Sequence, residues 1–211
     1  MEKEIYDEKM KQLKTGTTTV GLVCSDGVVM ASDKRASMGY FIASKDILKV
    51  HQIDDFLSMT IAGSVADAQT LVRIMKAEAK LYKLKHGRNM SPNAAGHILA
   101  TIMYQYKVFP FLVQIIIGGV GETPQLYSLD PLGGITEETY VSTGSGSPMA
   151  YGFLESVYKK GRPVKENVEL AAKAISIAMK RDAATGEGIE VISISKSGFR
   201  RYEPEEVQKM L

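Results

Sequence analysis

Residues Gly16-Thr17-Thr18-Thr19 stand between a charged leader and an apolar, strand-like run, Val20-Gly21-Leu22-Val23-Cys24. A cut at Gly16-Thr17 would leave a threonine with a hydroxyl nucleophile and a free α-amine on one residue. Hydroxyls are poor nucleophiles until a base takes their proton, and an α-amine with a reference pKa of about 7.7–8.0 is matched to that task near neutrality. The leader would then cap the base. Three threonines ahead of a strand are equally the β-branched residues of an ordinary pleated surface, so the run needs company.

Competing chemistries lack their parts. A Ser-His-Asp triad needs a histidine, and of His51, His86 and His97 the second sits beside a helix-ending glycine and the third mid-helix. Gly144-Ser145-Gly146-Ser147 has the wrong spacing for a nucleophile elbow. There are no paired Cys or His ligands, no P-loop and no dinucleotide fingerprint, so the residues call for no metal and no cofactor.

The elements that must position the threonine follow from periodicity. Strand-like runs span 17–24 and 27–33 about Ser25-Asp26-Gly27, then 40–50 and 56–62, and read as an antiparallel meander. Ser64, with Asp67 three residues on, caps a helix that Gly87 stops, and Ser91-Pro92 opens a second helix to about Tyr106. Strands return over 111–119, 125–130 and 135–143. A helix pair from Ser147-Pro148, broken at Gly161-Arg162-Pro163, continues to about Arg181. Strands over 189–195 and 199–202 and a short helix from Pro204 close the chain. Strand groups separated by helix pairs predict an α+β fold: two antiparallel sheets face to face, each covered by a helix pair, rather than a parallel βαβ sheet. In the first hairpin, a three-residue Ser25-Asp26-Gly27 loop with a left-handed glycine would place Thr17, Thr19, Asp33 and Arg35 on one face; a two-residue Asp26-Gly27 turn would put Asp33 on the other. A site around Thr17 favours the first.

The chain has 211 residues, 45% of them hydrophobic, enough for one domain with a sizeable core. Its 26 basic and 24 acidic residues leave a net charge of +2, with no basic stripe interleaved with aromatics, which speaks against nucleic acid. The single cysteine, Cys24, allows no internal disulfide and suits a reducing compartment. The leader lacks the apolar core of a secretory signal, and no stretch reaches the roughly 18 apolar residues of a membrane span. These features predict a cytoplasmic protein without a membrane partner.

Six segments, in order, carry a resemblance: Thr15-Gly16-Thr17-Thr18-Thr19-Val20-Gly21, Asp33-Lys34-Arg35-Ala36-Ser37, Lys49, Met59-Thr60-Ile61-Ala62-Gly63-Ser64, Ser142-Thr143-Gly144-Ser145-Gly146-Ser147-Pro148 and Arg181-Asp182-Ala183-Ala184-Thr185-Gly186. Over nearly its whole length the chain resembles the catalytic β subunits of the 20S proteasome, most closely the archaeal type. The resemblance implies the four-layer αββα sandwich of an N-terminal nucleophile hydrolase over residues 17–211, with residues 1–16 a propeptide removed by self-cleavage between Gly16 and Thr17. It implies that Thr17 is the nucleophile, that Lys49 lies close to its hydroxyl and that Asp33 holds Lys49. Ser145, Asp182 and Thr185 would orient the freed amine; the family pattern has serine where Thr185 stands, so the hydroxyl is kept and a methyl added. Gly63, at a strand-to-helix junction, would offer its N–H to an oxyanion. Ala36, Ile47, Ile61 and Val65 would line the pocket for the residue before the scissile bond and prefer large hydrophobic side chains.

The implied partners are outer α subunits, other β subunits in seven-membered rings, an unfolding ATPase and unfolded polypeptide substrates. Three rivals compete with this reading. A non-catalytic ring scaffold would be expected to have lost Thr17, Asp33 or Lys49. The bacterial two-ring relative fits the 144–148 and 181–186 segments and the leader less well. A small-molecule amidase calls for a more polar pocket.

Overall fold

The computed structural model describes residues 16–211, so the leader over residues 1–15 lies outside the described residues. Two five-stranded antiparallel sheets face one another. The first runs β10-β1-β2-β11-β12, with β1 Thr19–Val23, β2 Gly27–Asp33, β10 Tyr140–Thr143, β11 Ile189–Ser195 and β12 Gly198–Arg201. The second runs β5-β6-β7-β8-β9, with β5 Val50–Asp54, β6 Leu57–Gly63, β7 Val113–Val120, β8 Pro124–Leu129 and β9 Ile135–Glu137. A separate ribbon pairs β3 (Ala36–Met38) with β4 (Phe41–Ser44).

Side-chain alternation along the strands builds three apolar layers. Val28, Met30, Ile192 and Ile194 meet Val50, Ile116 and Leu126 between the sheets. Val29, Ala31 and Val191 face the other way, against helices α3 (Ser147–Val157) and α4 (Val164–Met179). Leu57, Met59 and Ile61 pack under α1 (Val65–His86) and α2 (Pro92–Gln105). The result is the expected αββα sandwich, completed by a short α5 (Pro204–Gln208) beside β11. Helix ends follow the sequence signals: Ser64 Oγ accepts from Asp67 N, Ser91 Oγ from Ala94 N, and Gly87, at φ 67°, ends α1 with its N–H on Lys83 O. Among the described residues no helix is long and apolar enough to cross a membrane.

Four expectations fail in instructive ways. The early strands are not one meander, since β1–β2 and β5–β6 belong to different sheets. The segment expected as one strand over 40–50 is instead the end of the ribbon and a crossing over 45–49, anchored where Ile47 N donates to Lys34 O. Likewise the run over 135–143 changes sheets at Glu138-Thr139. Apolar runs look alike whether a chain continues along one sheet or steps to the next.

The hairpin register is the fourth. Thr19 pairs with Ser32 and Val23 with Val28, so neither expected register occurs and the residue level with Asp33 is Thr18. The turn is Ser25-Asp26, closed by Cys24 N on Gly27 O and tied down by Ser25 N on Arg162 O and Val164 N on Asp26 Oδ1. Gly27 is not left-handed. It is a glycine because β11 passes so close that a Cβ would lie 2.2 Å from Ile194 O.

Candidate active site

Thr17 and Thr18 precede β1 and are buried at the end of the first sheet, Thr17 being 3% exposed. The Thr17 hydroxyl donates to Gly16 O at 2.6 Å, so the hydroxyl lies against the carbonyl of the peptide bond that precedes it. Gly16 N donates to Ser37 Oγ on β3, and a Cβ on Gly16 would sit 1.6 Å from that of Ala184. Only glycine fits there. The Thr17 carbonyl nests in the turn over 144–146, where Gly146 N approaches it and a Cβ on Gly144, at φ 92°, would come within 2.1 Å of it.

A chain of hydroxyls converges on Asp182. Thr17 N donates to Ser145 Oγ at 3.3 Å, and Ser145 Oγ donates to Asp182 Oδ2 at 2.6 Å. From the other side Thr185 Oγ1 donates to the same Oδ2. Because the Thr185 proton is committed to the carboxylate, Thr18 Oγ1, 2.7 Å away, must be the donor in its bond to Thr185. Every donor therefore points toward Asp182, which leaves the Ser145 oxygen free to accept from the Thr17 nitrogen. The methyl of Thr185 leaves its hydroxyl in this chain.

The second hub is Asp33, completely buried at the end of β2. Its Oδ1 accepts from Lys49 Nζ at 2.7 Å and Thr18 N at 3.0 Å, and its Oδ2 from Arg35 N at 3.1 Å and Gly186 N at 3.0 Å. All the lone-pair directions of one carboxylate are used. Lys49, 6% exposed, has its pKa lowered chiefly by burial, with the Asp33 charge and hydrogen bond opposing that shift. Its ammonium bonds Asp33, whereas the Thr17 hydroxyl bonds Gly16 O, so the two are linked through Asp33 and the Thr18 amide rather than directly.

Gly63 ends β6 at φ 133°, where a Cβ would lie 2.2 Å from Leu112 O. Ser64 N bonds Leu112 O on the β7 side, so by alternation the Gly63 N–H points to the β5 side. Contact with that neighbour ends at Ile61 N on Lys49 O, and no β5 residue lies opposite Gly63. Of the expected pocket residues, Ala36 and Ile47 are half-buried and Val65 is 41% exposed at the start of α1. Ile61 is buried with Leu71 and Val72 in the core under α1.

Several residues of this constellation had no role in the sequence reading: Thr18, Ser37, and the backbone amides of Arg35 and Gly186. Thr18 could have been found from the correct register, but nothing local marks Ser37. Beneath the site Thr19 Oγ1 meets Thr143 Oγ1 and accepts from Thr60 Oγ1, and Ser142 Oγ donates to Thr19 O, a buried hydroxyl stack joining both sheets.

Residues 13–194 match the family model described as proteasome subunit. The chain is 52% identical over 199 residues to a proteasome subunit beta of Methanocaldococcus fervens, covering 93% of this chain and 89% of that protein. It is 52% identical over 200 residues to the proteasome subunit beta of Methanosarcina mazei (94% and 95% covered) and 48% identical over 207 residues to that of Methanococcus aeolicus (97% and 95% covered).

Proposed function

Because this chain belongs to the proteasome subunit family, as a β subunit of the 20S particle, we propose that it is a threonine peptidase that frees its own nucleophile. Such subunits act within a protease complex, assembled with other subunits in the proteasome core. The observation that carries the reading is the Thr17 hydroxyl 2.6 Å from Gly16 O, with the Thr17 nitrogen on Ser145. In self-cleavage Thr17 Oγ1 attacks the Gly16 carbonyl carbon, its proton passes to the Thr17 nitrogen, and the C–N bond breaks to leave an ester. Water then hydrolyses the ester, releasing residues 1–16 as a carboxylate and leaving Thr17 with a free amine.

In peptide hydrolysis that amine takes the hydroxyl proton while Ser145, Asp182 and Thr185 hold its N–H groups away from the nucleophile. Lys49, fixed by Asp33, places positive charge where it favours the alkoxide. The Gly63 N–H, without a β5 partner, meets the developing oxyanion, a contact worth about 2.7–4 kcal/mol in hydrolases. Ala36, Ile47, Ile61 and Val65 supply an apolar wall for the residue before the scissile bond. The proposed setting is the cytoplasm, in seven-membered β rings between outer α rings, fed with unfolded polypeptides by an ATPase. The test is turnover by the assembled particle. Peptides ending in Leu or Tyr should be cleaved faster than those ending in Arg or Glu, and Thr17→Ala should cleave neither. Activity in Thr17→Ala would overturn the nucleophile, and faster turnover of charged peptides would overturn the pocket.

A further inference from the structure

The carboxylate of Glu190 is 4% exposed on β11, in the layer between the sheets, and belongs to neither hub of the site. Its neighbour across the ladder is Ser32, and the preceding residue, Ile189, pairs with Asp33. Glu190 Oε2 accepts from the Val50 amide at 3.4 Å. Arg201 on β12 completes a ring: its guanidinium contacts Glu190 Oε1 at 3.1 Å and donates to Val50 O at 3.2 Å. One ion pair of the first sheet thus grips both backbone groups of Val50, the first residue of β5 in the second sheet.

Val50 follows Lys49. Asp33 holds the ammonium from β2, Ile61 N binds the Lys49 carbonyl, and Glu190 and Arg201 hold the next residue from β11 and β12. We propose that Glu190, clamped by Arg201, is a positioning residue that fixes the Lys49 backbone so that its ammonium stays at the Thr17 end of the sheets. This rests on the reading of Lys49 given under Proposed function. A buried carboxylate is costly, and burial pushes the Glu190 pKa up, with Arg201 first and the Val50 and Lys49 amides among the influences pulling it back. A packed apolar side chain would fill the same space without that cost, which is why a role beyond filling is indicated.

The test uses the assembled, processed particle. Displacements near 1 Å at a reacting group cost up to about 100-fold in rate, so Glu190→Ala, which lets the loop over 45–49 relax, should lower kcat about tenfold with KM within about twofold. The acid limb of the kcat/KM profile should move to higher pH, because a displaced ammonium no longer depresses the pKa of the Thr17 amine. Loss of the Glu190 charge by itself would move the limb the other way. The other charged groups around the amine, Asp33, Asp182 and Arg35, are unchanged in the variant. Glu190→Gln keeps an oxygen for Val50 N but turns its NH₂ toward the Arg201 guanidinium, so its kcat should fall between those of the parent and Glu190→Ala.

Native kcat and an unmoved limb in Glu190→Ala, with Lys49→Ala inactive, would overturn the inference, as would a Gln variant as impaired as Ala. An active Lys49→Ala would instead overturn the reading of Lys49. Should Glu190→Ala fail to assemble, Arg201→Gln at a partly exposed position decides: a lower kcat at constant KM supports the clamp, and an unchanged kcat removes it.

Discussion

Replacing Asp33 by asparagine changes no shape but converts a double acceptor into an acceptor and a donor. The carboxylate receives hydrogen bonds from Lys49 Nζ, Thr18 N, Arg35 N and Gly186 N, two on each oxygen. Whichever way the new amide turns, its NH₂ faces two donors. Turned to keep Lys49 and Thr18 on oxygen, it strands the Arg35 and Gly186 amides, at about 1–3 kcal/mol each, or about 2–6 kcal/mol together. In either orientation the neutral amide leaves the buried Lys49 ammonium without its counter-charge, and breaking such an ion pair costs about 3–5 kcal/mol. At about 2–4 °C per kcal/mol for a domain of this size, the unfolding midpoint of Asp33→Asn should fall by at least about 4 °C. The comparison belongs in a Thr17→Ala background, where every chain keeps its leader, at matched subunit concentration because assembly makes the midpoint concentration-dependent. Scanning calorimetry is the assay. A midpoint within about 1 °C of the parent would refute the claim that this carboxylate is a four-donor hub.

Three further outcomes are expected. Thr185→Ser keeps the hydroxyl between Thr18 and Asp182 and should retain activity within about threefold, whereas Thr185→Val strips Thr18 Oγ1 of its acceptor, leaves Asp182 Oδ2 with Ser145 alone, and should cost about 1–3 kcal/mol, read as turnover and as thermal midpoint. Burial, helped by Lys76 and Arg201, lowers the His51 pKa from 6.5 to about 4, so the folded chain holds it neutral. The unfolded chain takes up the proton first, so this contribution to stability is full above pH 6.5 and is lost as pH falls toward 4. At about 1.36 kcal/mol per pH unit the loss is at most about 3 kcal/mol, and His51→Gln should flatten the acid side of a stability–pH curve. Burial also pushes the Cys24 thiol up to about 12, so an alkylating reagent at pH 8 should label it only on unfolding; rapid labelling of the native particle would contradict that burial.

The sandwich was legible because its signals are local: serine caps, a helix-stopping Gly87, and apolar runs of strand length. Thr17 could be singled out as a candidate for the same reason, since the hydroxyl and the amine that a nucleophile and its base would need belong to one residue, but only the family resemblance lifted it above an ordinary strand threonine. The parts that were not legible depend on distant backbone. Gly27 reads as a turn glycine, yet it is small for the sake of β11, some 160 residues on in the chain, and the register followed that constraint. The sheet crossings over 45–49 and at Glu138-Thr139 are fixed by packing between layers, which leaves no mark in a single run of residues. Asp33 could be tied to Lys49 only through the family resemblance, and the amides of Thr18, Arg35 and Gly186 that share its carboxylate could not be read at all, because any residue supplies an N–H.

The central claim is that Thr17 becomes the first residue and works with its own amine. Intact mass and N-terminal sequencing of the chain in the assembled, active particle test it most directly. The chain should begin at Thr17, with residues 1–16 released, and a Thr17→Ala chain should keep them. An active particle whose chain still begins at Met1 would contradict it, because the amine would then be locked in the peptide bond to Gly16.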